Sequence, residues 1–189
     1  MKTKTNYKWL IKIVFISIAA SMVFALATSE ILGRAAYVVA FVVLILFIAI
    51  GIIFDVIGVA VVAATEPPFH SMAAHREHGA TESLRLIKNA DRVSSFCNDV
   101  VGDVSGIISG STAALIAAKL VKGMGTGNIL IPLLISGAVS GLMVGGKAVG
   151  KTLAFNNSTA IIHSVGKLVN IARGISRLQP YRKRKKRKN

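Results

Sequence analysis

The sequence is poor in the residues that equip a water-soluble domain. Its 189 residues include a single cysteine, Cys97, which excludes an internal disulfide framework and any multi-cysteine metal site. Only eight residues are acidic, and charged residues of both signs make up 16%, against about a quarter in soluble domains. Aromatic residues are 6%. Period-two alternation is missing, so no strand is indicated. No Ser/His/Asp or Cys/His arrangement points to a catalytic nucleophile. These absences exclude a soluble globular enzyme, and the chain is read as a non-enzyme.

What is present is apolar sequence in long runs. Hydrophobic residues make up 53% of the chain, and the mean hydropathy is +0.62. A membrane-crossing helix needs roughly 20 mostly apolar residues. Four stretches qualify: 9–28, 36–65, 94–118 and 123–146. Backbone polar groups in lipid must be satisfied within the segment, so the expected fold is all-α, a multi-pass protein of four spans. The first stretch also fits a secretory signal peptide, with a lysine-rich start and Ala25-Leu26-Ala27 at its end.

The net charge of +15 sits mostly at the edges of the apolar body. Lys2, Lys4, Lys8 and Lys12 sit at the N-terminus, and an unbroken basic run fills 182–188. With the basic segment 66–93 (Arg76, Arg85, Lys88, Arg92), this places both termini in the cytoplasm under the positive-inside rule. The expected location is the plasma or inner membrane. Segment 66–93 begins with the helix-stopping Glu66-Pro67-Pro68 and reads as short amphipathic helices broken at Gly79. Ile161, Ile162, Val165, Leu168, Val169, Ala172 and Ile175 form one face of an interfacial helix after the last span. The run at 182–188 is expected to hold anionic lipid headgroups rather than nucleic acid.

Glycines at four-residue spacing mark two spans: Gly102, Gly106 and Gly110 on the third, and Gly137, Gly141 and Gly145 on the fourth. Small residues so spaced let helix backbones approach closely, so both stripes are expected to pack the helices together.

Chemistry is expected where charge enters the apolar runs. Each of Asp55, Asp99 and Asp103 costs roughly 2.5–3.5 kcal/mol at mid-membrane unless it meets a cavity or a partner. Asp99 and Asp103 are one α-helical turn apart, and Asp55 and Asp103 lie at similar depth from the basic side. The three carboxylates, with Asn98 beside them, form an oxygen set suited to a hard cation such as Mg2+. The competing arrangement is an internal ion pair in which Lys147 neutralises an aspartate. Gly145-Gly146-Lys147-Ala148-Val149-Gly150-Lys151-Thr152 matches a phosphate-loop pattern but follows a membrane helix instead of a strand, so no nucleotide is expected. His70, His75 and His78 cluster on the cytoplasmic segment, but His75 and His78 lack a thiol or carboxylate placed to close a zinc site, and His163 stands alone, so the four read as surface residues.

Two segments resemble a known family. Gly79-Ala80-Thr81-Glu82-Ser83-Leu84-Arg85-Leu86-Ile87-Lys88-Asn89-Ala90-Asp91-Arg92 is similar to the Gly-Ala…Leu-Lys-Leu-Leu-Glu-Asn-Pro-Asp-Arg segment of the CNNM/CorC transmembrane domain. Gly146-Lys147-Ala148-Val149-Gly150-Lys151-Thr152-Leu153-Ala154 is similar to that family's Gly-Glu-Ile-Leu-Pro-Lys-Thr-Leu-Ala. The resemblance spans roughly residues 36–178. It implies a dimeric transporter of Mg2+, with Co2+ as a further ion, and a cation site between three core helices. Asp55 then stands where the family has a ligand serine, Lys147 replaces its glutamate and Gly150 its proline, while Gly102-Asp103 matches its Gly-Asn after a two-residue shift. No regulatory CBS pair accompanies these segments. The expected organisation is a basic segment and extra span over 1–35, a CNNM-like core over 36–178, and a polybasic tail over 179–189. The alternative is a non-transporting membrane protein with an internal Asp–Lys pair and a tail that binds lipid or a partner.

Overall fold

The computed structural model describes residues 7–34, 36–125 and 129–177; the basic run at 182–188 lies outside the described residues. Among them every element is helical: α1 (Tyr7–Arg34), α2 (Tyr37–Ala63), α3 (Glu66–Ala74), α4 (Ala80–Lys88), α5 (Ala90–Ser95), α6 (Asp103–Met124), α7 (Leu130–Asn156) and α8 (Ser158–Arg177). A π-helical segment, Phe96–Gly102, joins α5 to α6, so that Ala90–Met124 forms one continuous rod of 35 residues.

Among the described residues, three helices are long and apolar enough to cross a membrane: α2, the α5–α6 rod and α7. In α1 the apolar helical stretch is shorter, Ile11–Leu26. The last of the three begins at Leu130 and ends at Asn156, later at both ends than the expected 123–146. The cause is local. Gly125 takes a left-handed conformation (φ 64°) and its amide bonds the Lys122 carbonyl, which closes α6.

Helix α2 is apolar all round, so hydrophobicity alone does not mark its inner face. The buried stripe runs Ala40, Leu44, Ile48, Gly51, Asp55, Gly58, at steps of three and four, so its small and charged members name the face. Toward the α2 N-terminus, Ala40, Leu44 and Ile48 pack with Ala113 and Ile116 of α6. At the other end Ala60, Val61 and Ala64 meet Phe69, Ala154 and Ile162, which ties the span to α3, α7 and α8. Helix α1 lies along α6, with Phe24 edge-on to Phe47 of α2 at 6.0 Å.

The glycine stripe of α7 requires a correction. A methyl group added at Gly137, Gly141 or Gly145 would meet open space, and so would one at Gly110. Close approach is made instead by Gly146 and Gly150, which lie under Ile52 and Val56 of α2. Gly102 and Gly106 do face α7, near Lys147 Nζ (3.7 Å) and Met143 Cε (3.5 Å). A four-residue repeat establishes that a close approach is possible, not which helix it faces.

Helices α3, α4 and α8 form the layer outside the spans. Pro67 and Pro68 occupy the first turn of α3, where their missing amides cost nothing. That helix ends with Arg76 in the left-handed region (φ 58°), the Glu77 amide bonding the Met72 carbonyl at 2.9 Å. A side chain costs about 1–2 kcal/mol in that conformation, partly offset by glycine's greater freedom when unfolded. Arg76→Gly is therefore expected to raise stability by roughly 0.5–1 kcal/mol, measured by thermal melting in detergent; a lower melting point would refute it.

Helix α8 crosses α4 backbone against backbone. Gly79 is left-handed (φ 87°) beneath the Lys167 amide, and Gly166 lies on Ser83 and on the Gly79 carbonyl. The buried Ser83 hydroxyl donates to the carbonyls of Gly79 (2.9 Å) and Ile162 (3.1 Å). His163 is held at the same crossing, its Nε2 3.2 Å from the His78 carbonyl and 3.7 Å from Glu77, so it is not the solvated histidine expected.

Candidate functional site

Three helices meet at one charged point. Asp55 lies on the buried stripe of α2, Asp103 opens α6 where the π-helical segment ends, and Lys147 projects from α7. Lys147 Nζ lies 3.9 Å from Asp55 Oδ1 and 3.9 Å from Asp103 Oδ1. At that separation these are ion pairs rather than direct hydrogen bonds. The two carboxylates and one ammonium leave a formal charge of −1. Their environments differ sharply, because the Asp55 side chain is 7% exposed and that of Asp103 is 71% exposed. One carboxylate is sealed among helices and the other opens the point to the surroundings.

Buried oxygens nearby are left without partners. Asp55 Oδ2 and Asn98 Oδ1 accept no hydrogen bond. The Asn98 amide donates to Ser94 Oγ at 3.3 Å, and its oxygen sits over Gly58, one turn beyond Asp55. A side chain on residue 58 would occupy the place of that oxygen. A buried polar atom without a partner costs about 1–3 kcal/mol, a cost that nothing among the described residues offsets at these two oxygens. Thr112 Oγ1 is also unpartnered, whereas Ser109 satisfies its hydroxyl on the Ser105 carbonyl at 2.8 Å.

The π-helical segment lies between Asp99 and the start of α6 at Asp103. Its wider turn is seen in the Asp103 amide bonding the Asn98 carbonyl five residues back. Asp99 is exposed and has no ion pair among the described residues, so two of the three expected carboxylates are brought together. No three Asp, Glu, His or Cys side chains among the described residues are grouped to hold a metal ion. The phosphate-loop look-alike is helical from end to end, with the Thr152 hydroxyl bonded to the Ala148 carbonyl.

Sequence reasoning placed Lys147 near one aspartate but did not foresee it between two. It also missed Gly58, whose only sequence signal is its three-residue spacing from Asp55. Comparison of the chain with protein-family models, with curated proteins and with solved structures finds no match.

Proposed function

We propose that this chain is an integral membrane protein of divalent cation transport, Mg2+ first and Co2+ second. The observation that carries this reading is the convergence of Asp55 and Asp103 from two helices on one point held by the Lys147 ammonium. A place that stabilises one cation between two carboxylates has the charge to stabilise another. Asp55, Asp103 and the unpartnered Asn98 Oδ1 are the oxygens for a hard cation, which prefers such donors. Lys147 is a tethered occupant that the arriving ion displaces, and the exposed Asp103 is the entry side. The resemblance to the CNNM/CorC domain supports the same ion class and a homodimer. In this reading α1 is a fourth span, both termini are cytoplasmic, and the basic run at 182–188 holds anionic lipid.

The second reading is a static Asp–Lys–Asp ion pair in a non-transporting protein. It is favoured by the exposure of Asp99 and by the lack of a third acidic side chain at the point. Mg2+ flux into proteoliposomes of the full chain separates the two. Transport predicts measurable flux that falls at least about ten-fold in both Asp55→Asn and Asp103→Asn, each losing a charged ligand. A folded wild type without flux would establish the static pair instead.

A further inference from the structure

Where the spans meet the outer layer, an apolar groove of about 510 Å3 opens between α2, α5, the π-helical segment and α8. Its walls include Phe54 and Ile57, Phe96 and Cys97, and Leu168 and Val169. Phe96 and Leu168 are half or more exposed, so among the described residues the apolar wall continues outward without a cover. Ligand pockets commonly have this volume and this lining, with a few polar groups fixing orientation.

The one charged side chain lining the groove is Arg92. It also lines an adjoining cleft of about 390 Å3 with Lys88, Asn89 and Asp91. Neither Arg92 nor Lys88 is in an ion pair among the described residues, and the two lie four residues apart at the groove mouth. On the other flank Glu82 is already engaged by Arg85 (3.4 Å) and Arg173 (3.3 Å). The rim therefore carries four cations against Glu82 and Asp91, a formal +2.

We propose that this groove seats one anionic diacyl phospholipid, with an acyl chain along Phe54, Phe96 and Leu168 and the phosphate at Arg92 and Lys88. The inference rests on the membrane placement proposed above and not on cation transport. An apolar trough ending in unpaired cations matches a lipid whose charge sits at one end of its tails, and basic pockets on the cytoplasmic side of membrane helices hold such headgroups. The basic run of this chain is a poor occupant, because the rim repels it. A zwitterionic lipid leaves the surplus charge of the rim unanswered.

Native mass spectrometry of the full chain, purified in detergent and offered phosphatidylglycerol or phosphatidylcholine, tests this. The expected result is one phosphatidylglycerol retained per chain in preference to phosphatidylcholine. Retention should fall about five-fold in Arg92→Gln, the effect of one basic residue near a lipid surface. It should persist when residues 182–188 are replaced by glutamine. Because Arg92 is exposed, its variant is expected to melt like the wild type. Equal retention of the two lipids, or loss of phosphatidylglycerol in the tail variant alone, would overturn the proposal. Both outcomes are read without any flux measurement, so the site and the transporter can fail separately.

Discussion

Lys147→Met is expected to lower stability by about 3–5 kcal/mol, the usual cost of removing one partner of a buried ion pair. The cost falls on Asp55. Its carboxylate is sealed between α2 and its neighbours and has one oxygen already without a partner, so losing the ammonium leaves a buried charge with nothing to answer it. Asp103 is largely exposed, and its interaction with Lys147 is weakened by its surroundings, so it adds little. Two double variants follow from this asymmetry. Asp55→Asn with Lys147→Met should recover most of the loss, because the pair is then removed as a unit, while Asp103→Asn with Lys147→Met should recover almost none. Unfolding of all the variants in one detergent decides the matter, and a Lys147→Met protein as stable as the wild type would refute the assignment. Millimolar Mg2+ adds a second readout. If a cation takes the place of the ammonium, Mg2+ raises the melting temperature of Lys147→Met more than that of the wild type.

The α4–α8 crossing is the second place where a small change should have a large effect. Gly79→Ala combines a left-handed backbone, about 1–2 kcal/mol for a side chain, with a methyl group driven into the Lys167 amide. Overpacking of this kind typically adds about 1–3 kcal/mol, and here the neighbour is backbone that cannot rotate away. Gly166→Ala acts from the other side, displacing the Ser83 hydroxyl from its two carbonyls. Both variants should speed amide hydrogen exchange in α4 and α8 while leaving α6 protected. Gly141→Ala is the control. Its added methyl meets open space, so its effect should stay within about 0.5 kcal/mol. Equal effects at positions 79, 166 and 141 would mean that the crossing does not hold the outer layer in place.

The contrast between these glycines marks how far the sequence could be read. Three of the four apolar runs correspond to helices long and apolar enough to cross a membrane, whereas the first yields only the shorter apolar stretch Ile11–Leu26. Glu66-Pro67-Pro68 likewise gave the break before α3. The faces were harder. In α2 no polar side marks the inner stripe, and only the interruptions at Gly51, Asp55 and Gly58 identify it. In α7 the conspicuous repeat at Gly137, Gly141 and Gly145 pointed to the wrong face, whereas Gly146 and Gly150, five and nine residues beyond Gly141, make the contact with α2. At the charged point, Asp55, Asp103 and Lys147 were legible because charge in an apolar run is conspicuous. Asp99 forms no ion pair among the described residues, and its four-residue spacing from Asp103 could not show that Lys147 meets one of the two and not the other.

The rod from Ala90 to Met124 also has a mechanical implication. Its 35 residues extend about 52 Å at 1.5 Å per residue, well beyond a hydrocarbon layer of about 30 Å. Even at a tilt of about 40°, the steepest usual for a span, it would cover about 40 Å along the membrane normal. On the membrane placement proposed above, the surplus stands among the headgroups, shared between the end that carries Asp91 and Arg92 and the end that carries Lys119 and Lys122. Asp103 lies about 20 Å along this rod from Ala90. Bilayer thickness therefore sets how much of that distance is wet, so a thinner membrane brings the carboxylate closer to water and a thicker one draws it deeper.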